Sequence, residues 1–199
     1  MRLGTALVIS APSGAGKTTL IRKLTAEFPG FTYSISFTTR SPRAGEVNGR
    51  DYHFTTREDF IARRDRHEFE WAEVHGNLYG TPLAPVLEAQ RAGRDILFDI
   101  DVQGAAQLHL SLPSAHFVFI LPPSMEELEK RLRGRGTDTD EVIRVRLADA
   151  RQEIREARWF DSLILNDDLD RAYQDLRAAY LQATLAPKLH TALLDSLLF

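Results

Sequence analysis

Eight residues near the start of the chain, Ala11-Pro12-Ser13-Gly14-Ala15-Gly16-Lys17-Thr18, restrict its fold more than any other stretch. Before them, Ala6-Leu7-Val8-Ile9-Ser10 is a short β-branched-rich run of the kind that forms a buried strand, and from Thr19 to Leu24 the apolar residues recur at helical spacing. Strand, glycine loop and helix in that order form a cradle for phosphate. Gly14 and Gly16 can take backbone angles closed to other residues, so successive N–H groups turn inward on an anion while the helix adds the dipole of its N-terminus. Lys17 is then placed to reach the β- and γ-phosphates, and Thr18 to offer its hydroxyl to Mg²⁺. The loop begins with Ala11 where glycine is usual, so the φ of Ala11 must be negative. The competing reading is a strand-to-helix turn whose glycines only cap.

A chain of 199 residues with 43% hydrophobic content can build one α/β core and carry inserted subdomains. It has no cysteine, and histidines such as His53, His75 and His116 lack ligand spacing, so neither disulfides nor a thiolate or imidazole metal site is expected. The N-terminal apolar run is too short to span a membrane and does not resemble a signal peptide; a soluble, cytoplasmic protein with no membrane partner is the expectation. The net charge of −3 argues against a broad nucleic-acid-binding face. The arginines nevertheless gather in two groups, Arg40, Arg43 and Arg50, then Arg131, Arg133, Arg135, Arg144 and Arg146, which in an acidic chain suggests small phosphorylated ligands.

After the first strand–helix unit, 31–36 alternates as a strand, and 37–81 changes character: turn residues, short aromatic runs and one helical patch at 58–64 predict a small mixed-β insertion. A helix is predicted over 82–91, with Pro82 in its first turn and Gly93 closing it. The run 95–101 returns to the buried-strand signature and ends in acid, placing Asp99 and Asp101 to hold Mg²⁺, directly or through water, or to hold substrate; capping of the next helix competes for Asp101. A third strand at 116–121 is followed by Ser124-Met125-Glu126-Glu127, a capping box. Glu127 with Arg131 and Glu129 with Arg133 are i,i+4 pairs, sufficient to explain Arg133 and an open alternative for Arg131. They do not explain Arg135, which lies between Gly134 and Gly136 where a stable helix would be interrupted. An arginine on such a hinge, followed by an arginine-bearing helix over 138–158, predicts a lid. A last strand at 162–166 and a helix at 169–183 precede a weakly helical tail. Its Leu193, Leu194, Leu197, Leu198 and Phe199 are suited to dock on the core or on a second copy, so a homo-oligomer is among the expectations.

Taken together, these blocks resemble bacterial guanylate kinases over nearly the whole chain. The likeness rests on the phosphate loop, Thr38-Thr39-Arg40-Ser41-Pro42-Arg43-Ala44-Gly45-Glu46, Gly49-Arg50-Asp51-Tyr52-His53-Phe54, Tyr79-Gly80-Thr81, Asp99-Ile100-Asp101-Val102-Gln103-Gly104, Leu132-Arg133-Gly134-Arg135-Gly136 and Val145-Arg146-Leu147. The second block is far more specific than the loop, which many NTPases share. The resemblance implies an α/β P-loop NTPase fold in one domain. It would have a mostly parallel central sheet flanked by helices (core about 1–35, 82–123 and 159–199), an inserted mixed-β GMP-binding subdomain (about 36–81) and a helical lid (about 124–158). It implies ATP-dependent phosphorylation of GMP, and of dGMP, to the diphosphate, with ATP and Mg²⁺ as cofactors. By the same resemblance Ser36, Arg40, Arg43, Tyr52, Glu70, Tyr79, Thr81 and Asp101 contact GMP. Lys17, Arg43, Arg131, Arg135 and Arg146 serve the transfer, residues from Ala11 to Thr19 bind the ATP phosphates with Asn166 on the adenine side, and Thr18 and Asp99 attend the metal. The chain departs from the family at Thr81, where serine is common, and at Leu78, where an aromatic often precedes the tyrosine. The segment between Phe60 and Trp71 is a residue shorter than in some relatives, which leaves Glu73 as a competitor of Glu70.

The chemistry agrees with that implication. Guanine offers N1–H and its N2 amino group as adjacent donors to one carboxylate, whereas adenine has an acceptor at N1 and would leave the carboxylate unpaired, at about 1–3 kcal/mol. Arginine forks suit the acceptor phosphate, and the tyrosines are open to a second reading as hydrophobic packing. Two rivals stand beside the kinase: a non-catalytic interaction module, expected to have a damaged loop or missing lid arginines, and a kinase of sugar phosphates, which would not need the base-reading carboxylate.

Overall fold

The computed structural model describes residues 2–42, 47–50, 52–74, 76–134 and 138–198, with the side chains of Glu70, Ala72 and Val74 outside that description. Arg43 and Arg135, named above as catalytic candidates, lie outside the described residues, as do His75, Gly136 and Phe199.

The strand predicted from Ala6-Leu7-Val8-Ile9-Ser10 is β1 (Ala6–Ser10), the centre of a five-stranded sheet. Its neighbours are β7 (Ile96–Asp99) and β8 (His116–Leu121), with β2 (Thr32–Tyr33) outside β7 and β9 (Ser162–Leu165) outside β8. Every pairing is parallel. Parallel strands are covered on both faces, and β1 shows how, because its alternate residues feed two different cores. Ala6 and Val8 pack with Phe98, Phe117 and Phe119 beneath α3 (Leu83–Arg91) and α4 (Val102–Ser111). Leu7 and Ile9 pack with Leu97, Val118, Ile120 and Ile164 beneath α1 (Lys17–Glu27) and α7 (Leu169–Thr184).

The insertion is a separate four-stranded mixed sheet, ordered β4 (His53–Phe54), β3 (Phe37–Thr38), β6 (Asn77–Thr81), β5 (Glu70–Val74). Helix α2 (Arg57–Asp65) closes it over a small core of Phe60, Phe69 and Leu78. The strand predicted at 31–36 shrinks to Thr32–Tyr33 because it lies on the sheet edge with Tyr33 exposed; past Ser34, whose N–H still reaches Leu97 O at 3.1 Å, the chain crosses to the second sheet. The run 95–101 is likewise trimmed at both ends. Asp95 is drawn into bonds with Arg2, the Thr5 N–H and Tyr180, while Asp101 caps α4 by accepting from Gly104 N at 2.8 Å. Pro82 stands at the cap of α3 rather than inside its first turn.

Two helices, α5 (Met125–Arg133) and α6 (Asp140–Glu156), pack on each other through Leu128, Leu132, Ile143, Leu147 and Ala150. Half of the predicted capping box forms: Ser124 Oγ accepts from Glu127 N, while the Glu127 carboxylate turns to Arg131. The tail forms α8 (Thr191–Leu198), and Leu193, Leu194, Leu197 and Leu198 are exposed on it rather than docked on the core. Among the described residues no helix is long and apolar enough to cross a membrane.

Candidate active site

The cradle forms where β1 stops. Open parallel sheets bind ligands beyond the carboxyl ends of their strands, and β1 lies between neighbours on both sides, so its loop opens at the centre of that edge. Gly14 and Gly16 have φ of +94° and +99°, the left-handed region that only glycine enters without strain. Ala11 is buried and is not among the positive-φ residues, as its side chain requires. Gly16 caps α1, its carbonyl accepting from the N–H groups of Thr19 and Leu20. A second support lies under the loop: a Cβ at Gly14 would come within 3.0 Å of Leu128 and 3.1 Å of Leu132 from α5, and one at Gly16 within 2.1 Å of the Asn166 side-chain amide.

Lys17 Nζ is 2.6 Å from Asp99 Oδ1 and donates to Ile100 O at 3.0 Å, so the end of β7 holds the cradle lysine. Thr18 and Thr19 are in the same cleft, which encloses about 1330 Å³ between the phosphate loop, Arg40, Tyr52, Tyr79, Asp99, Asp101 and the polar face of α6. Ligand pockets commonly run to about 300–1,000 Å³, so this one has room for more than one small molecule.

A side pocket opens from it between the second sheet and α4, lined by Ser36, Tyr52, Trp71, Tyr79, Thr81 and Asp101 among others. Ser36 Oγ and Thr81 Oγ1 are 3.0 Å apart, presenting two hydroxyls together. Tyr52 and Tyr79 meet with ring centroids 6.0 Å apart, and the Arg40 guanidinium lies over the Tyr52 ring at 5.4 Å. Burial, with Asp101 and Tyr79 adding, holds the Tyr52 hydroxyl well above the usual phenol range, so it stays a donor at every working pH. Glu70 opens β5 directly opposite Thr81 in the ladder. Its competitor Glu73 forms an ion pair with Arg57 at 3.5 Å.

The arginines of the helical pair are held elsewhere. Arg131 donates to Glu127 and to Asn166 O at 3.1 Å, Arg146 pairs with Asp138 at 3.2 Å, and neither lines the cleft. Asp101 both caps α4 and faces the cleft, so the two readings of it are compatible.

Two features escape the sequence reading. Glu153 lines the cleft from α6, and burial, with Asp101 and Asp149 adding and Lys17 opposing, pushes its carboxyl up to about 7. Asp149, Gln152, Glu153 and Glu156 share one side of that helix by spacing, a pattern that reads as a solvated face. The amide of Asn166 meets the phosphate loop itself, donating to Ala15 O at 2.6 Å.

An anion cradle and an aromatic, hydroxyl-lined pocket opening on one cleft large enough for two nucleotides define a class, the nucleoside monophosphate kinases with a P-loop. Comparison with known proteins narrows it: the family described as Guanylate kinase matches residues 3–183. The guanylate kinase of Lawsonia intracellularis is 60% identical over 98% of this chain and 92% of its own length. That of Nitratidesulfovibrio vulgaris is 61% identical over 99% and 96%. The crystal structure of guanylate kinase from Anaplasma phagocytophilum superposes with a TM-score of 0.74 at 31% identity, covering 95% of this chain and 90% of that one. The chain belongs to the guanylate kinase family, and is an enzyme that phosphorylates GMP to GDP with ATP.

Proposed function

We propose that the cleft carries out this reaction by in-line transfer of the ATP γ-phosphoryl group to the GMP phosphate, with no covalent intermediate, and that dGMP is accepted as well. The observation that supports it best is the sharing of Tyr52, Tyr79 and Asp101 between the hydroxyl-lined pocket and the phosphate cleft, which puts acceptor and donor sites in one space. The residues from Ala11 to Thr19 surround the ATP phosphates. Ser36, Thr81, Asp101 and Glu70 read the nucleoside, and Arg40, Arg43, Tyr52 and Tyr79 hold its phosphate.

Thr18 and Asp99 are oxygen donors opening on the cradle, and they suit Mg²⁺, which takes one or two protein ligands and completes its shell with phosphates and water. When bound, the ion neutralises charge on the transferring phosphates. The acceptor phosphate is already anionic, so no general base is required. Lys17 leaves Asp99 for the phosphates, and closure of the lid that carries α5 and α6 brings Arg131, Arg135 and Arg146 onto the transferring group while excluding water.

At fixed Mg-ATP, GMP, dGMP, AMP and ribose 5-phosphate are compared as acceptors. GMP and dGMP are expected to turn over well and AMP poorly. A preference for the sugar phosphate, or absence of transfer to any acceptor, overturns the proposal.

A further inference from the structure

Asn166 follows the edge strand β9 and is buried, yet its backbone N–H, its carbonyl and its side-chain amide each engage a different element of the fold. The N–H donates to Leu121 O at the end of β8 at 2.9 Å, and the carbonyl accepts from Arg131 on α5 at 3.1 Å. The side-chain amide donates to Ala15 O at 2.6 Å across 151 residues of sequence. A backbone carbonyl only accepts, so the NH₂ end of the amide must be the one that faces it.

The peptide between Ala15 and Gly16 is trans, as are all described peptides of the chain, and in a trans peptide C=O and N–H point in opposite directions. Holding the Ala15 oxygen toward Asn166 therefore aims the Gly16 N–H away from Asn166, and Gly16 lines the cleft. Gly16 makes the contact possible, since a Cβ there would fall 2.1 Å from the Asn166 amide nitrogen.

We propose that Asn166 is a positioning residue of the phosphate cradle, clamping the Ala15–Gly16 peptide so that Gly16 N–H is preset for an anion, with Arg131 tied to the same residue. This rests on the kinase reading for its purpose but not for its geometry. It also separates Asn166 from a role in contacting adenine. A clamp on the loop acts on phosphate whatever base is attached, whereas an adenine contact acts on the base alone.

Binding of inorganic tripolyphosphate, ATP and GMP to the full chain by calorimetry distinguishes the two. For Asn166→Ala, tripolyphosphate and ATP are expected to weaken together, by about tenfold for one lost hydrogen bond, with GMP unchanged. Asn166→Asp keeps the volume and both backbone bonds but turns an oxygen on the Ala15 carbonyl. It is expected to lose at least as much, and it serves if the alanine variant does not fold. Loss of ATP affinity with tripolyphosphate unaffected would assign Asn166 to the base and overturn the clamp. A lower melting temperature with all three affinities intact would reduce Asn166 to a structural residue and overturn the clamp equally. Because tripolyphosphate carries no base and needs no acceptor, a wild-type protein that bound it but formed no GDP would count against the activity and leave the clamp testable.

Discussion

Replacing Glu153 by Gln should make the protein more stable at alkaline pH and leave it unchanged in acid. In the folded chain the carboxyl titrates near 7, against 4.5 for an ordinary glutamate, because burial and the neighbouring Asp101 and Asp149 disfavour its charge more than Lys17 favours it. The folded form thus holds the proton more tightly than the unfolded form. Its contribution to stability is full below pH 4.5, falls as pH rises, and is gone above about 7. At about 1.4 kcal/mol per pH unit the interval would amount to roughly 3 kcal/mol, and screening by solvent at the cleft mouth reduces this to about 1–2 kcal/mol. Gln keeps the shape without the charge. Urea unfolding from pH 4.5 to 8.5 should therefore show a gap between variant and wild type that opens with pH and levels off near pH 8, at unchanged m. A gap independent of pH, or a variant less stable than wild type at pH 8, would refute the assignment.

Lys17→Met should cut turnover by orders of magnitude with the melting curve retained, and near-normal GDP formation would remove Lys17 from the transfer. Glu70→Gln should lower the preference for GMP over AMP by about 1–3 kcal/mol in kcat/KM, whereas Arg43→Ala should weaken both acceptors and leave their ratio nearly intact; loss of preference at Glu73→Gln instead would show that Glu73 reads the base. Asp95 accepts from Arg2, Thr5 and Tyr180, and these bonds hold its carboxyl below the usual range despite burial. Its stabilisation is accordingly present above pH 3.8 and lost as pH falls further. Asp95→Asn should lower stability at pH 7 by about 2–4 kcal/mol without changing kcat at low temperature, and a neutral effect on stability would show the network to be dispensable.

What could be read in the sequence depended on how local its cause was. The strand 116–121 was legible to the residue, because an unbroken apolar run ends in two prolines that cannot continue it. The pairs of Glu127 with Arg131 and Glu129 with Arg133 follow from helix geometry alone and form as expected. The extent of β2 was not legible, since alternation at 31–36 says nothing about which residues find a partner at a sheet edge. Asp101 looked like a choice between capping and facing the site, and one carboxylate with two faces does both. Glu153 was hidden because a polar helix face looks the same whether it meets water or a cleft. Asn166 was named for the adenine side, but its contact with the phosphate loop was hidden for a longer-range reason: only the packed sheet decides which carbonyl, 151 residues away, its amide will meet.

The hold of Asp99 and Ile100 on Lys17 changes what nucleotide affinity measures. The lysine arrives at a phosphate already bonded, 2.6 Å from a carboxylate, so triphosphate binding is an exchange of anionic partners and its free energy is the difference between two attractions. Both weaken as salt is added. The ionic-strength dependence of ATP binding should then be shallower than the number of cations in the cradle suggests, because the Asp99 carboxylate is given up as the phosphate is gained.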